Sequence, residues 1–153
     1  MPRLLLFAPC QRAIIDKSDS SISLIAVLHG LTVNALGEAS GEPIPPNAVI
    51  PMNWSIGTIW LRSPEDGEKT FEQRVDIITP DNSRVEASPQ PFQMTHRTHH
   101  LAVAANVFPV GVAGEYRVVL MLREVRENAE WTQVAEFPIE IKHAQNQPQE
   151  AGS

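Results

Sequence analysis

YRVVLMLREVRENAEWTQVAEFPIEIK, residues 116–142, is the stretch that decides the fold, because two apolar segments with a period of two flank a polar turn. Every second residue from Tyr116 to Leu122 is apolar, and Val119 and Met121 on the opposite face are apolar as well. Such alternation is typical of a β-strand, whose successive side chains point to opposite faces. A strand that is apolar on both faces is expected in the centre of a sheet or covered on both sides.

The second segment, residues 131–142, is apolar at every second position from Trp131 to Ile141 except at Gln133, and mostly polar in between. One face of this strand is therefore expected to be buried and the other exposed. Pro138 has no backbone N–H to donate to a neighbouring strand, which predicts an edge strand or a bulge. The residues between the two segments, RENAE, predict a hairpin connection.

Shorter apolar runs, separated by turn residues, continue this pattern through the rest of the chain. Residues 20–30 fit either a strand or a short helix capped by Ser20 or Ser21, and their Ile and Val content favours the strand. The sequence therefore predicts an all-β protein. The expected architecture is an antiparallel β-sandwich, immunoglobulin-like or similar, with seven to nine strands.

The chain length of 153 residues suits a single domain. Residues 1–142 are predicted to form this β-sandwich domain. The last residues, 143–153, read HAQNQPQEAGS and contain no large apolar side chain that could anchor them. They are predicted to be a disordered C-terminal tail.

Charge and composition exclude several classes of partner. The net charge of −6 at pH 7 argues against nucleic acid, because binding to phosphates needs clustered cations. No apolar run approaches the ~20 residues of a membrane span, so no membrane partner is predicted. Cys10 is the only cysteine, and the apolar run at 4–8 is shorter than a signal peptide requires. Both observations predict a cytoplasmic protein.

FAPCQRAIIDKSDSSISLIAVLHGLTV, residues 7–33, is similar to the opening of a family of small bacterial proteins of unknown function. In that family, a Cys near the N-terminus precedes a short apolar strand ending in Asp, a polar turn and an SLI strand. FPVGVAGEYRVVLML and AEFPIEI resemble the closing strands of the family. The resemblance extends to about Lys142. It implies a single β-sandwich domain and carries no assigned activity.

The segment MTHRTHHLAV, residues 94–103, contains three of the five histidines. On a helix, His96, His99 and His100 would share one face and could chelate a metal. On a strand, His99 faces away from the other two, which stand about 13 Å apart at ~3.3 Å per residue. The strand is favoured, with His99 directed to the core, so no cofactor is predicted. A metal site at these histidines, or one completed by a histidine of a neighbouring strand, is the alternative.

Tryptophans offer a candidate ligand surface. Trp54 and Trp60 lie on one face of their strand, about 20 Å apart, and Ile59 and Leu61 lie on the other. If the aliphatic pair is in the core, the two tryptophans are exposed and, together with Trp131, could bind sugar rings or a protein. If the tryptophans are in the core, this signal vanishes. That second arrangement is favoured.

No spacing typical of nucleophilic, acid–base or phosphate-binding chemistry occurs in the chain, so the protein is not expected to be an enzyme. The leading hypothesis is a non-catalytic β-sandwich module that binds a protein partner or forms a homodimer. A symmetric dimer would bury the second apolar face of strand 116–122. The alternative is a module that binds carbohydrate or another ligand through exposed tryptophans, and a histidine-based metal site ranks third.

Overall fold

The computed structural model describes residues 1–34 and 44–144. In these residues the chain forms ten strands and one 3-10 turn at Pro64–Asp66. The strands are β1 (Arg3–Ile15), β2 (Ile22–Val27), β3 (Gly30–Asn34), β4 (Val49–Leu61), β5 (Thr70–Ile78), β6 (Arg84–Glu86), β7 (Gln90–Gln93), β8 (Thr98–Pro109), β9 (Gly114–Glu124) and β10 (Thr132–Ala144). The prediction of an all-β fold is confirmed, with ten strands in place of the predicted seven to nine.

The strands form two sheets. Sheet A has the order β2-β1-β4-β8, and sheet B has the order β3-β10-β9-β5-β6, with β7 pairing along the same edge of β5 as β6. All neighbours are antiparallel except β3 and β10, which are parallel. The chain crosses between the sheets from β2 to β3, from β3 to β4, from β4 to β5, from β7 to β8 and from β8 to β9. This connectivity is that of an immunoglobulin-like sandwich.

A tyrosine at the start of β9 supports the same assignment. The hydroxyl of Tyr116 donates a hydrogen bond to the carbonyl of Val112 at 2.7 Å and accepts one from its N–H at 3.2 Å. Immunoglobulin-like sandwiches commonly fix this corner with a tyrosine in the corresponding strand. Because Tyr116 is fully buried, the two bonds satisfy its oxygen inside the core.

The core lies between the two sheets and contains the inward side chains of both. Its largest fully buried members include Trp60, Phe71, Phe108, Tyr116, Leu120 and Ile139. Strand β9 supplies alternate residues to this core, as its period of two predicts. The central position predicted for this strand is confirmed, since β9 lies between β10 and β5 in sheet B.

Within residues 20–30, Ile22–Val27 form β2 and Gly30 begins β3, so the favoured strand assignment is confirmed. β2 ends at Val27 in sheet A, and β3 begins at Gly30 in sheet B. Leu28, which lies between them, is buried in the core. The chain therefore passes from one sheet to the other here and closes this side of the sandwich.

The end of the β1–β2 hairpin folds over the outer face of β4 and β8 in sheet A. A Cβ placed on Gly57 of β4 would collide with Leu24 Cδ2 and press on Ile22 Cδ1, so β2 side chains occupy the space above this glycine. The backbone carbonyl of Ser20, in the hairpin turn, reaches the Nδ1 atom of His100 on β8. The hairpin thus covers part of sheet A from outside.

The C-terminal strand is longer than predicted, and Pro138 lies where this strand forms an edge, as predicted. β10 continues to Ala144, so His143 and Ala144 belong to the domain and not to the tail, because they pair with β3. Residues 145–153 lie outside the described residues. Pro138 lies in the half of β10 that pairs only with β9, since β3 begins its pairing at Glu140. No helix in 1–34 or 44–144 is long and apolar enough to cross a membrane.

Candidate functional site

Two of the three clustered histidines, His99 and His100, lie on a strand as predicted, and the third, His96, precedes it. His96 is exposed just before β8, while His99 and His100 are half-buried within it. Together with Ile15 and Ser20, the three histidines surround one shallow depression at the end of the sandwich. The depression thus collects the histidines predicted as metal ligands.

The contacts of these histidines do not resemble those of a metal centre. The ring of His99 stacks on Phe92, with centroids 5.1 Å apart, and burial lowers its pKa, as do the nearby His100 and His96. His100 is engaged with the Ser20 carbonyl. Across residues 1–34 and 44–144, no three or more side chains of His, Cys, Asp or Glu are grouped so that they could hold a metal ion.

Two of the three candidate tryptophans are in the core, so the exposed aromatic platform does not form. Trp54 and Trp60 are 3% and 0% exposed. The Nε1 atom of Trp54 donates to the carbonyl of Val107 at 2.8 Å, and that of Trp60 donates to Gln73 Oε1 at 2.9 Å. The favoured arrangement, with both tryptophans in the core, is confirmed, and the alternative of an exposed pair that binds a ligand is wrong, because this face of β4 points towards sheet B.

Trp131 packs on the outer face of sheet B. A shift in the β9–β10 register between Gln133 and Ala135 changes the side-chain phase, so Trp131 does not follow Ile141 into the core. Its ring packs against Val119 and Met121, which are 0% and 8% exposed. A single chain therefore already covers the second apolar face of β9, and this face no longer calls for a dimer.

Two arginines complete the cover around Trp131. The Cζ atoms of Arg74 and Arg123 lie 4.6 and 4.3 Å from the ring centroid, within the range of cation–π attraction. Arg123 also forms an ion pair with Glu72 at 2.7 Å, and Arg74 forms one with the fully buried Asp76. The half-buried Trp131 is therefore held in a charged network and does not present a free stacking surface.

The single cysteine is not arranged as a nucleophile. Cys10 is fully buried, and its Sγ lies 3.5 Å from the carbonyl oxygen of Ser55. Burial raises the pKa of its thiol. A reactive cysteine needs an accessible thiolate, so Cys10 acts as a small core residue.

A separate apolar cleft enters the sandwich on the side opposite to Leu28. Its mouth lies between β8 of sheet A and the β6–β7 edge of sheet B, and its volume is about 170 Å³. Apolar side chains form most of its wall, among them Trp54, Ile56, Val75, Ile77, Val103 and Val107. At the mouth, Val85 and Val107 are about half-exposed, at 50% and 47%. We refer to this space as the edge cleft.

The wall of the edge cleft includes the polar residues Gln73, Glu86, Ser88 and Gln90, and of these only Gln73 of β5 is fully buried. Its Oε1 atom accepts hydrogen bonds from Thr58 Oγ1 and Trp60 Nε1, both at 2.9 Å. An indole N–H can only donate, so this contact fixes which end of the amide is the oxygen. The Nε2 atom has no hydrogen-bond partner among the described residues. An unmet buried donor costs about 1–3 kcal/mol.

The strand that borders the edge cleft also has a free edge. Among the described residues, β8 pairs only with β4. It is twelve residues long, compared with six for β2, five for β3, three for β6 and four for β7 at the other edges. β8 contains no Asp, Glu, Lys or Arg. Proteins usually protect such edges with charges, prolines or short strands.

Sequence reasoning missed Gln73 and the β8 edge. A signal for Gln73 was present, because it occupies the same face of β5 as Phe71, Val75 and Ile77, where an apolar residue is expected. The β8 edge had a weaker signal, the absence of charged residues from Thr98 to Pro109. Strand order, which makes β8 an edge, does not follow from the sequence of that strand.

Comparison with known proteins gives no relative from which a role could be inferred. No protein-family model matches the chain, and no curated protein matches it significantly.

Proposed function

We propose that this domain is a non-catalytic interaction module of the cytoplasm that self-associates by pairing β8 with β8 of a second copy. The observation that supports the proposal is the long, uncharged β8 edge, which has no strand partner among the described residues. An exposed edge offers backbone donors and acceptors that a further strand can satisfy.

A second copy suits this edge better than a charged partner does. Two antiparallel β8 strands related by a twofold axis present the same donors and acceptors to each other, so the edge is complementary to itself. The edge carries no charge, whereas the whole chain has a net charge of −6 that opposes association elsewhere. Pairing at β8 therefore avoids the repulsion that other faces would meet.

Burial of valine side chains adds to the backbone pairing. Val107 of β8 is 47% exposed and Val85 across the cleft mouth is 50% exposed. A strand added at β8 extends sheet A beside Val107 and removes part of this side chain from water. Burial of apolar surface contributes about 25 cal/mol per Å².

Sedimentation velocity of an edge variant tests the proposal. Ala102 is an exposed residue near the middle of the regular β4–β8 pairing. The Ala102→Lys variant places two like charges close together at the twofold axis, so we expect a dimeric native protein and a monomeric variant. Ser23→Lys, which adds the same charge to the opposite edge of sheet A, is the matched control and should remain dimeric.

Circular dichroism should show that both variants retain the native spectrum. A native protein that sediments as a monomer at the highest attainable concentration contradicts the proposal. A native monomer whose β8 amides are protected from hydrogen exchange would also contradict the proposal. Such protection would mean that another part of the same chain pairs with the edge of β8.

A further inference from the structure

The edge cleft contains a buried hydrogen-bond donor that has no partner among the described residues. Its wall is apolar except for a few polar groups, and Gln73, which is fully buried, retains one donor without a partner among the described residues. Buried polar groups in folded proteins are almost always hydrogen-bonded, so an unmet donor at a cavity needs a partner. The partner must be a hydrogen-bond acceptor.

The amide of Gln73 cannot turn to remove this requirement. A flipped amide would direct Nε2 at the indole N–H of Trp60, which is itself a donor. Thr58 Oγ1 also reaches the carbonyl end of Gln73, at 2.9 Å. The two bonds use the carbonyl oxygen of Gln73 and leave its Nε2 as the group that is free to donate.

The size of the cleft limits what can occupy it. Its volume is about 170 Å³, and an apolar protein cavity of roughly 150 Å³ is known to take up benzene. Ligand sites for larger molecules usually measure about 300–1,000 Å³. The occupant is therefore about one ring in size.

We propose that the edge cleft binds a compact aromatic ketone or aldehyde, with its ring among the apolar side chains and its carbonyl oxygen accepting from Gln73 Nε2. A carbonyl is preferred to a phenol because it brings no donor of its own that would need a buried acceptor. Val75 and Val103 contact the ring in this arrangement, as both line the cleft. The site does not depend on self-association through β8.

Acetophenone and its hydrocarbon isostere α-methylstyrene are the probes. In an NMR titration of the ¹⁵N-labelled protein, acetophenone should shift the Gln73 side-chain amide and the Trp54 indole signal in a saturable way. It should bind roughly tenfold more tightly than α-methylstyrene, the ratio expected for one additional hydrogen bond. Equal affinities, or no saturable shift with either probe, overturn the proposal.

Two variants on β8 locate the binding within the molecule. Ala105→Leu adds volume to a residue that lines the cleft and should abolish acetophenone binding. Ala102→Leu makes the same change on the exposed opposite face and should leave binding unchanged. If both variants bind alike, the ligand is elsewhere and the proposal fails.

Gln73→Met removes the donor, and in this variant acetophenone should lose its advantage over α-methylstyrene. Where this variant does not fold, the comparison of the two probes on the native protein still decides the matter. The Ala102→Lys variant should bind acetophenone as the native protein does, whether or not it dimerises. A water on Gln73 Nε2 that persists in a crystal soaked with acetophenone also overturns the proposal.

Discussion

Gln73 and Asp76 are both fully buried polar residues of β5, and they lie on opposite faces of sheet B. Both oxygens of Asp76 are paired, because Arg74 contacts them at 2.7 and 2.8 Å and Arg84 contacts Oδ2 at 2.6 Å. Gln73 has a fully used carbonyl and an unused amide nitrogen. The described residues therefore satisfy the hydrogen-bonding groups of Asp76 but not all of those of Gln73.

The difference separates two uses of buried polarity. A polar group whose partners all come from the fold makes that part of the sheet rigid and specific. A buried polar group that lines a cavity and lacks one hydrogen-bond partner can bind a ligand in that cavity. On this basis the outer face of sheet B, with Asp76 and Trp131, is structural, and the edge cleft is the place for a ligand.

The largest expected effect comes from breaking the complete network. Asp76→Ala leaves Arg74, which is largely buried, without its carboxylate, so we expect the free energy of unfolding in urea to fall by about 3 kcal/mol. Glu86→Ala removes a more exposed partner of the same arginine and is the control, with an expected loss below about 1 kcal/mol. Equal losses for the two variants would show that Asp76 is not the centre of this network.

A smaller effect is expected on the incomplete side. Gln73→Met leaves the hydroxyl of Thr58 and the indole N–H of Trp60 without an acceptor, so stability should fall by about 2 kcal/mol. Adding Thr58→Val removes one of the two orphaned groups with a side chain of similar shape. The double variant should therefore recover about 1 kcal/mol in the same urea measurement. A double variant less stable than Gln73→Met would contradict this account of the Gln73 bonds.

The smallest effect concerns His99, whose protonation depends on pH. Burial lowers the pKa of His99 below its ordinary value of 6.5, so the unfolded chain takes up the proton more readily than the folded one. The contribution of neutral His99 to the free energy of unfolding is complete above pH 6.5, and it is lost as the pH falls through the lowered pKa of His99. The melting temperature should therefore fall between pH 7 and pH 5 by less in His99→Gln than in the native protein. Equal falls in the two proteins would contradict this account of His99.

Much of the fold was predictable because strands carry their periodicity in the chain. The alternation from Tyr116 to Leu122 predicts the central strand β9, and the Ile and Val content of residues 20–30 predicts extended structure there. The same alternation predicts that His99 and His100, which are neighbours in β8, point to opposite faces of the strand. Each of these inferences depends only on neighbouring residues.

The site was less predictable because it depends on residues far apart in sequence. The run around Trp54 and Trp60 is apolar on both faces, so its sequence does not determine which face meets sheet B. Trp131 follows the alternation of β10 in sequence, but a bulge after Gln133 changes its side. The edge cleft arises only when β8 and the β6–β7 edge are brought together.

The parallel pairing of β3 with β10 has a consequence for how the protein folds. It joins Gly30 to Glu140 and Asn34 to Ala144, so the long segment between residues 34 and 140 must be closed into a loop before these bonds can form. The entropy cost of closing a loop grows slowly with its length, but the folding rate falls as contacts become less local. We therefore expect β9 and β10 to pair early as a hairpin and the β3–β10 contact to form late, after the two sheets have docked.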